Sequence, residues 1–323
     1  MIRILATLLG LAALVVAAAG LAARHLPVTG HPTLILAAAA PYLAVAAPVA
    51  VLLLGLGRRH VLTLLAFALT AVMVWTYLPR YQVTAAPQGP AVDVRVLTSN
   101  LGMGQADPAA FVALAGESAD VVAVQEMTQD AADGLSAAGM DAVFPYRVIV
   151  PAPLASGIGI WSRHPIVDSG RVDGYALPAV GTRIRIPGVR VDTTVLSVHL
   201  AAPWPMPITQ WRNDIARFPD TLAEMGRTAG AGAVIVAGDF NATADMAPFR
   251  ALLDQGYGDA AMDAGAGLAR TYPSRGFRPS VIGIDHILTR NATPAAARTV
   301  VVVGSDHRGL LATLRVPVDM TAS

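Results

Sequence analysis

Residues Val234 to Asn241 read Val-Ile-Val-Ala-Gly-Asp-Phe-Asn: a short apolar run, a glycine, then two polar side chains two positions apart. An apolar run of this length closed by a turn signal reads as a buried strand that delivers its polar residues at one end. The same punctuation recurs along the chain. Val92 to Leu97 leads to Ser99-Asn100, Val121 to Val124 to Gln125-Glu126, Gly157 to Trp161 to Ser162-Arg163-His164-Pro165, and Thr194 to Val198 to His199. Further on, Ile282 to Leu288 encloses Asp285-His286, and Val300 to Val303 leads to Ser305-Asp306-His307. Phe111 to Gly116, between the first two strands, has helical spacing. Strands that repeatedly end in polar residues fit a sandwich of sheets that gathers its chemistry along one edge.

The chain before this pattern is of another kind. Residues 1–80 contain no Asp or Glu and five Arg, while all 22 acidic residues follow. Three apolar runs, Ile4 to Ala23, Leu34 to Leu56 and Val61 to Leu78, each approach the ~20 residues needed to cross a bilayer. The expectation is a membrane anchor over 1–80 with three transmembrane helices, a linker over 81–91 containing Pro87, Gly89 and Pro90, and a catalytic domain over 92–318. Pro41 and Pro48 kink the second helix. A cleaved signal peptide over residues 1–23 is the competing reading of the first run. Arg3 precedes that run and Arg58-Arg59 separates the second from the third, a slight bias that, with an odd number of crossings, sets the catalytic domain outside the cytoplasm of a multi-pass cell-membrane protein.

Beyond residue 80, 18 Arg stand against 22 Asp and Glu, a net charge of −4. Such a domain lacks an evident basic track for a long nucleic acid, which lowers that reading without removing it. The chain has no Cys, so disulfides, zinc–thiolate sites and thiol nucleophiles are absent.

Each polar motif has a bland reading when taken alone: Asn100 as a turn residue, Glu126 as a solvated strand end, His199 as a core histidine, Gly238-Asp239-Phe240-Asn241 as a β-turn. Their order says more. Thr98-Ser99-Asn100, Val124-Gln125-Glu126, Ser162-Arg163-His164-Pro165, Val198-His199-Leu200, Gly238-Asp239-Phe240-Asn241, Ile284-Asp285-His286-Ile287 and Ser305-Asp306-His307 together resemble the endonuclease/exonuclease/phosphatase (DNase I-like) superfamily, from about Val92 to Val316. The resemblance implies an α/β fold, a four-layer α/β sandwich of two mainly antiparallel sheets flanked by helices, and a metal-dependent phosphoesterase.

It also implies roles. Asn100, Glu126 and Asp306 offer hard oxygen ligands that suit Mg2+ or Mn2+, with Glu126 the surest. Asp239 orients or deprotonates the attacking water and Asn241 donates to a phosphate oxygen. Asp285 pairs with His307 and favours its protonated form. His199 matches the general acid or phosphate contact of the DNase and sphingomyelinase branches, whereas the aromatic contact of the apurinic endonucleases is not evident near it. Arg163 takes a structural reading.

The anchor and its outward orientation point to a substrate at the bilayer. The layout resembles the actinobacterial membrane phosphatases associated with teicoplanin resistance, and the stretches Gly256-Tyr257, Thr271-Tyr272-Pro273 and Gly283-Ile284-Asp285-His286 fit that branch. The implied substrate is lipid-linked, undecaprenyl pyrophosphate. A surface-tethered nuclease and a non-catalytic binding domain on a membrane stalk are the alternatives.

Overall fold

The computed structural model describes residues 1–84, 89–274, 276 and 279–319. Chain contacts divide it into two compact units, one of Met1–Pro79 with Thr243–Arg250 and one of Arg80–Ala242 with the remainder.

In the first unit the apolar runs form α1 (Ile2–His25), α2 (His31–Leu43), α3 (Ala46–Leu56) and α4 (His60–Tyr77). α1 and the α4 region are each long and apolar enough to cross a membrane. The second run is not one straight helix: α2 and α3 meet at 62° and make a third span only if the bent pair is counted as one. Proline chemistry explains the break. Pro48 has no N–H to offer the Ala44 carbonyl, which instead accepts the tighter bond from Ala47, and Pro41 sits inside α2. One packed cluster joins Ala17 of α1 to Ala47 of α3 and Met73 of α4, and a second joins Leu11 and Leu14 to Ala50, Leu54 and Ala66. Residue numbers rise together in α1 and α4 and fall in α3, so α1 and α4 run parallel and α3 runs back between them. Small residues permit this approach: a Cβ on Gly10 would stand 2.8 Å from Leu54, and one on Gly20 2.8 Å from Leu43. The outward faces carry Leu5, Leu8, Leu64, Leu65 and Phe67, all exposed.

The second unit begins with a 3-10 turn, Leu78–Tyr81, that straddles the division. Val83 then bridges to Ala264 and the Thr84 N–H donates to the Asp263 carbonyl, so the start of the expected linker is tied down. Pro87 and its neighbours 85, 86 and 88 lie outside the described residues. There follow β1 (Ala91–Asn100), α5 (Pro108–Ser118), β2 (Val121–Gln125), α6 (Gln129–Ala137), α7 (Met140–Val143), β3 (Tyr146–Val150), β4 (Ile158–Ser162), β5 (Ile166–Val172), β6 (Ala179–Ile184) and β7 (Thr193–His199). Next come α8 (Thr209–Ala229), β8 (Val234–Asp239), α9 (Ala247–Leu253), whose residues up to Arg250 count with the first unit, β9 (Gly258–Asp259), α10 (Ala260–Asp263), β10 (Asp285–Arg290), β11 (Thr293–Val301) and β12 (Arg308–Pro317).

Among the described residues, twelve strands build two six-stranded sheets, ordered β11-β12-β1-β2-β4-β3 and β5-β6-β7-β8-β10-β9. Only β1–β2 and β7–β8 are parallel among the paired strands. The period of two does the sorting. Val94, Val96, Val121, Ala123, Ile158 and Ile160 of one sheet interleave with Val180, Val195, Ile235, Ala237 and Ile287 of the other. Leu97, Val122, Val124 and Trp161 point the other way and bury against Phe111, Leu135 and Phe144 of the α5–α7 layer. α8 closes the opposite face with Trp211, Ile215, Phe218 and Leu222, spaced for one helical stripe. The result is the four-layer α/β sandwich expected from the sequence.

Arg163 serves this framework. Its guanidinium donates to the carbonyls of Ala119 (2.9 Å) and Gly116 (2.5 Å), closing the end of α5, and lies 4.9 Å from the Phe144 ring centroid.

Candidate active site

Register brings the polar strand ends to one edge. The parallel pair β1–β2 sets Asn100 opposite Gln125, so Asn100 and Glu126 emerge side by side. The parallel pair β7–β8 sets His199 opposite Asp239. Antiparallel β10 contributes its first residue, placing Asp285 opposite Asp239. β12 runs antiparallel to β1, with Leu310 opposite Thr98, so the turn that precedes it, Ser305 to His307, arrives at the same edge. Ser305 secures that turn: its hydroxyl donates to the Asn100 carbonyl at 2.7 Å and accepts from the His307 N–H at 3.0 Å.

One sheet thus supplies Asn100, Glu126 and His307, the other His199, Asp239 and Asp285, and they interlock across the sandwich. Asn100 Nδ2 donates to Asp239 Oδ2 at 3.1 Å and to Glu126 Oε1 at 3.0 Å. His307 Nδ1 donates to Asp285 Oδ2 at 2.9 Å, leaving Nε2 facing Asp239 Oδ2 at 3.8 Å. His199 Nε2 lies 3.7 Å from Asp239 and 3.9 Å from Glu126, while its Nδ1 meets the Ala155 carbonyl at 3.2 Å. A carbonyl can only accept, so Nδ1 carries the proton.

Below this floor, Gln125 bridges the sheets, donating to Ser197 Oγ at 3.2 Å and accepting from Thr98 at 3.3 Å. Gly238 is required by close approach: a Cβ there would lie 1.9 Å from the Val198 carbonyl oxygen. Glu126 and Asn241 leave their strands in the left-handed region, at φ 57° and 50°. Asn tolerates this conformation and Glu does not, so Glu126 holds strain of about 1–3 kcal/mol at the site. Asp239 Oδ1 accepts the Asn241 N–H at 2.8 Å, and Asn241 Nδ2 donates to the Leu200 carbonyl at 2.9 Å while facing His199 Nε2 at 3.4 Å.

Burial sets the electrostatics. It pushes the Asp239 carboxyl up, and the like charge of Asp285 adds to the rise against the two histidines. For His307 burial works downward, but the charge and hydrogen bond of Asp285, with Asp239 and Asp306, lift the imidazole to about 10. His307 is therefore an imidazolium at neutral pH.

Further residues pack around this group. Tyr272 places its ring centroid 4.8 Å from that of His307, a contact between two loops that no spacing reveals. His286, beside Asp285, points away and binds Asp259 at 2.6 Å. Alternation along β10 was the available signal. Asp306 borders the site at the Gly102 turn, its Oδ1 3.2 Å from where a Gly102 Cβ would stand. The Gly102 N–H donates to Asn100 Oδ1 and the Met103 N–H to Glu126 Oε2, so the same turn orients both of those side chains.

The donor set suits a hard cation. Asp239, Asp285 and His307 bring polar atoms within 4.8 Å of one another, and with His307 protonated the two carboxylates are the oxygens of that group open to a cation. Among the described residues, Asp285 Oδ1 is buried without a hydrogen-bond partner, and three carboxylates share one edge. Oxygen ligands crowded in this way are what Mg2+ or Mn2+ binds, and a divalent charge would relieve their repulsion.

The model of the Endonuclease/Exonuclease/phosphatase family matches residues 97–307. No curated protein matches the chain. Among solved structures, an endonuclease/exonuclease/phosphatase family protein from Leptotrichia buccalis is 17% identical, with 68% of this chain and 99% of that one covered at a TM-score of 0.52. The 3′ phosphatase NExo from Neisseria, bound to a product DNA hairpin, is 18% identical over 68% of this chain and 98% of its own, TM-score 0.53. A D. rerio TDP2 humanized by 14 mutations is 17% identical over 69% and 98%, TM-score 0.54. At these identities the likeness is one of fold.

Proposed function

Because the chain belongs to the endonuclease/exonuclease/phosphatase family, we propose that it is a membrane-anchored, divalent-cation-dependent phosphoester hydrolase acting on a lipid-linked phosphate or pyrophosphate of the undecaprenyl type. The observation that carries the substrate class is the apolar rim of a polar site. Met103, whose N–H holds Glu126, Leu154, beside the Ala155 carbonyl that meets His199, and Trp204 and Met206, in the loop after His199, are all exposed. Exposed large apolar side chains next to buried charge suit a phosphate carried on a hydrocarbon chain. The net charge of −4 beyond residue 80 gives a nucleic-acid backbone little to hold.

Glu126, with Asn100 and Asp306 about the Gly102 turn, would hold the cation, which when bound would neutralise charge on the phosphoryl oxygens. Asp239 accepts the proton of an attacking water and fixes its direction. His307, kept protonated and oriented by Asp285, donates from Nε2 to a phosphoryl oxygen as charge builds there. His199 stands beside the departing oxygen as its general acid, when Nε2 is also protonated, or as a phosphate contact, and Asn241 Nδ2 faces that Nε2.

The parallel run of α1 and α4 supports an odd number of crossings, with the bent α2–α3 pair returning between them. Together with a cytoplasmic side for Arg3 and Arg58-Arg59, this supports a catalytic unit outside the cytoplasm. A single Cys introduced at the exposed Glu224 of this Cys-free chain should react with a membrane-impermeant maleimide in whole cells; protection until lysis would reverse the orientation.

The full chain in detergent with Mg2+ should release phosphate from undecaprenyl pyrophosphate and leave plasmid DNA intact. Rapid plasmid nicking without lipid phosphate release would replace this reading with the nuclease one.

A further inference from the structure

The stretch Thr271 to Ser274 contributes no acid, base or ligand to the site, yet it is bonded on both sides to the segments that carry Asp285 and His307. On one side, the Thr271 and Tyr272 N–H groups donate to the Ile282 carbonyl at 2.8 and 2.9 Å, and the Tyr272 carbonyl accepts from Val281 and Ile282. On the other, the Arg308 N–H donates to the Thr271 carbonyl at 2.8 Å and the Ser274 N–H to the Asp306 carbonyl at 2.6 Å.

The side chain of Thr271 adds a contact of its own. It is fully buried, and its Oγ1 accepts the N–H groups of both Ile284, at 3.2 Å, and Asp285, at 3.3 Å. Buried N–H groups need acceptors. Asp285 opens β10, whose pairing with β9 falls further along, at Leu288 and Thr289. The Thr271 hydroxyl therefore stands where the carbonyl of a neighbouring strand would. A hydroxyl oxygen has two lone pairs and can receive both bonds, whereas valine, of nearly the same shape, can receive neither.

The tie crosses the sandwich. β10 belongs to one sheet and β12, which follows His307, to the other, so the 2.9 Å bond from His307 Nδ1 to Asp285 Oδ2 joins the two. Thr271 fixes the backbone on both sides of that bond: the N–H of Asp285 through its hydroxyl, and the N–H that follows His307 through its carbonyl. From the same stretch, the Tyr272 ring lies against the His307 imidazole. We propose that Thr271 is a positioning residue for the Asp285–His307 pair: its hydroxyl holds the Asp285 backbone where the carboxylate meets His307 Nδ1, and so aims His307 Nε2 at the phosphoryl oxygen. The geometry stands by itself, and the effect on rate rests on the hydrolase reading.

The test compares Thr271→Val with Thr271→Ser in the full chain, in detergent with Mg2+, on p-nitrophenyl phosphate and on undecaprenyl pyrophosphate. Thr271→Val should lower kcat on both by about tenfold or more with KM within about twofold, because the pair acts as charge builds in the transition state. Thr271→Ser keeps the acceptor and should stay within about threefold of the native rate. In an Asp285→Asn background, where the pair is already broken, adding Thr271→Val should cost about twofold or less. Losses that simply multiply, or a serine variant as slow as the valine one, would overturn the role. A second readout needs no turnover. In the chain with isotope-labelled histidine, the Nδ1–H resonance of His307, assigned by its loss in His307→Asn, should shift in Thr271→Val and stay in place in Thr271→Ser. A resonance unmoved in Thr271→Val would sink the inference whether or not the chain hydrolyses phosphate. If the native chain cleaved neither substrate while the resonance shifted as expected, the hydrolase reading alone would fall.

Discussion

Asn100 Nδ2 and Asp239 Oδ2 lie 3.1 Å apart, although their residues end strands in different sheets. The same amide donates to Glu126 at 3.0 Å, so one neutral group separates two carboxylates. Two unit charges about 3 Å apart interact by roughly 5 kcal/mol at an effective dielectric of 20. Asn100→Asp removes both donated bonds and adds a third charge. The variant should be less stable than the native chain by about 3 kcal/mol without divalent cation, and Mg2+ should restore more stability to it than it adds to the native protein. Melting in detergent with EDTA or with Mg2+ measures both; an equal Mg2+ response would count against a cation at this edge.

The His307–Asp285 bond makes a pH prediction. Asp285 holds the imidazole at about 10, against an unfolded value near 6.5, so the protonated form persists throughout the physiological range. Stability from this pair is complete below about 6.5 and is lost as pH rises through about 10. In Asp285→Asn the imidazole loses its strongest raising partner, so less of it is protonated at pH 8 and activity there should fall. The alkaline limb of the rate profile should move to lower pH, and the His307 ring resonance should follow it in an NMR titration. A variant that lost activity equally at every pH would show that Asp285 acts by other means.

Much of the edge was legible because each strand announces its end: Asn100, Glu126, His199 and Asp239 all follow apolar runs. Strand direction was not legible. Asp285 reaches the site from the beginning of β10, and His307 from the turn before β12, because both strands run antiparallel to their neighbours. Period-two alternation separates His286 from Asp285, yet its partner Asp259 sits on the short strand β9, which has no pattern of its own. The left-handed backbone of Glu126 and the Tyr272 contact arise from loop packing, which composition does not record. The bend in the second apolar run was legible, because Pro41 and Pro48 mark where the helix must kink.

The buried His286–Asp259 pair should be visible in stability rather than in turnover. Burial lowers the His286 pKa, but the charge and hydrogen bond of Asp259 outweigh it and the net shift is upward. Burial raises Asp259, which the His286 charge and two backbone N–H groups of α10 pull below the ordinary carboxylate value. The histidine's contribution is complete below about 6.5 and is lost as pH rises through its raised value; the aspartate's is complete above about 3.8 and is lost as pH falls through its lowered one. His286→Asn should therefore cost about 3 kcal/mol near pH 5–6 and progressively less in alkali. Urea unfolding at several pH values reads this, and a pH-independent difference would mean that only packing was lost.

The apolar rim predicts a split between lipid and soluble substrates. Trp204 and Met206 are 60% and 57% exposed, in the loop that begins after His199 and ends at α8. If their role is to receive a hydrocarbon chain, each side chain should contribute about 1.5–3 kcal/mol of apolar contact to a lipid-linked substrate and nothing to a short one. Trp204→Ser together with Met206→Ser should raise KM for undecaprenyl pyrophosphate at least about tenfold, with kcat held, while turnover of a water-soluble phosphomonoester stays within about twofold. Contact made equally in the ground state and the transition state appears in KM alone, which separates this role from damage to the catalytic edge. If both substrates slowed in parallel, the loop would be supporting His199 and the lipid assignment would lose its main support.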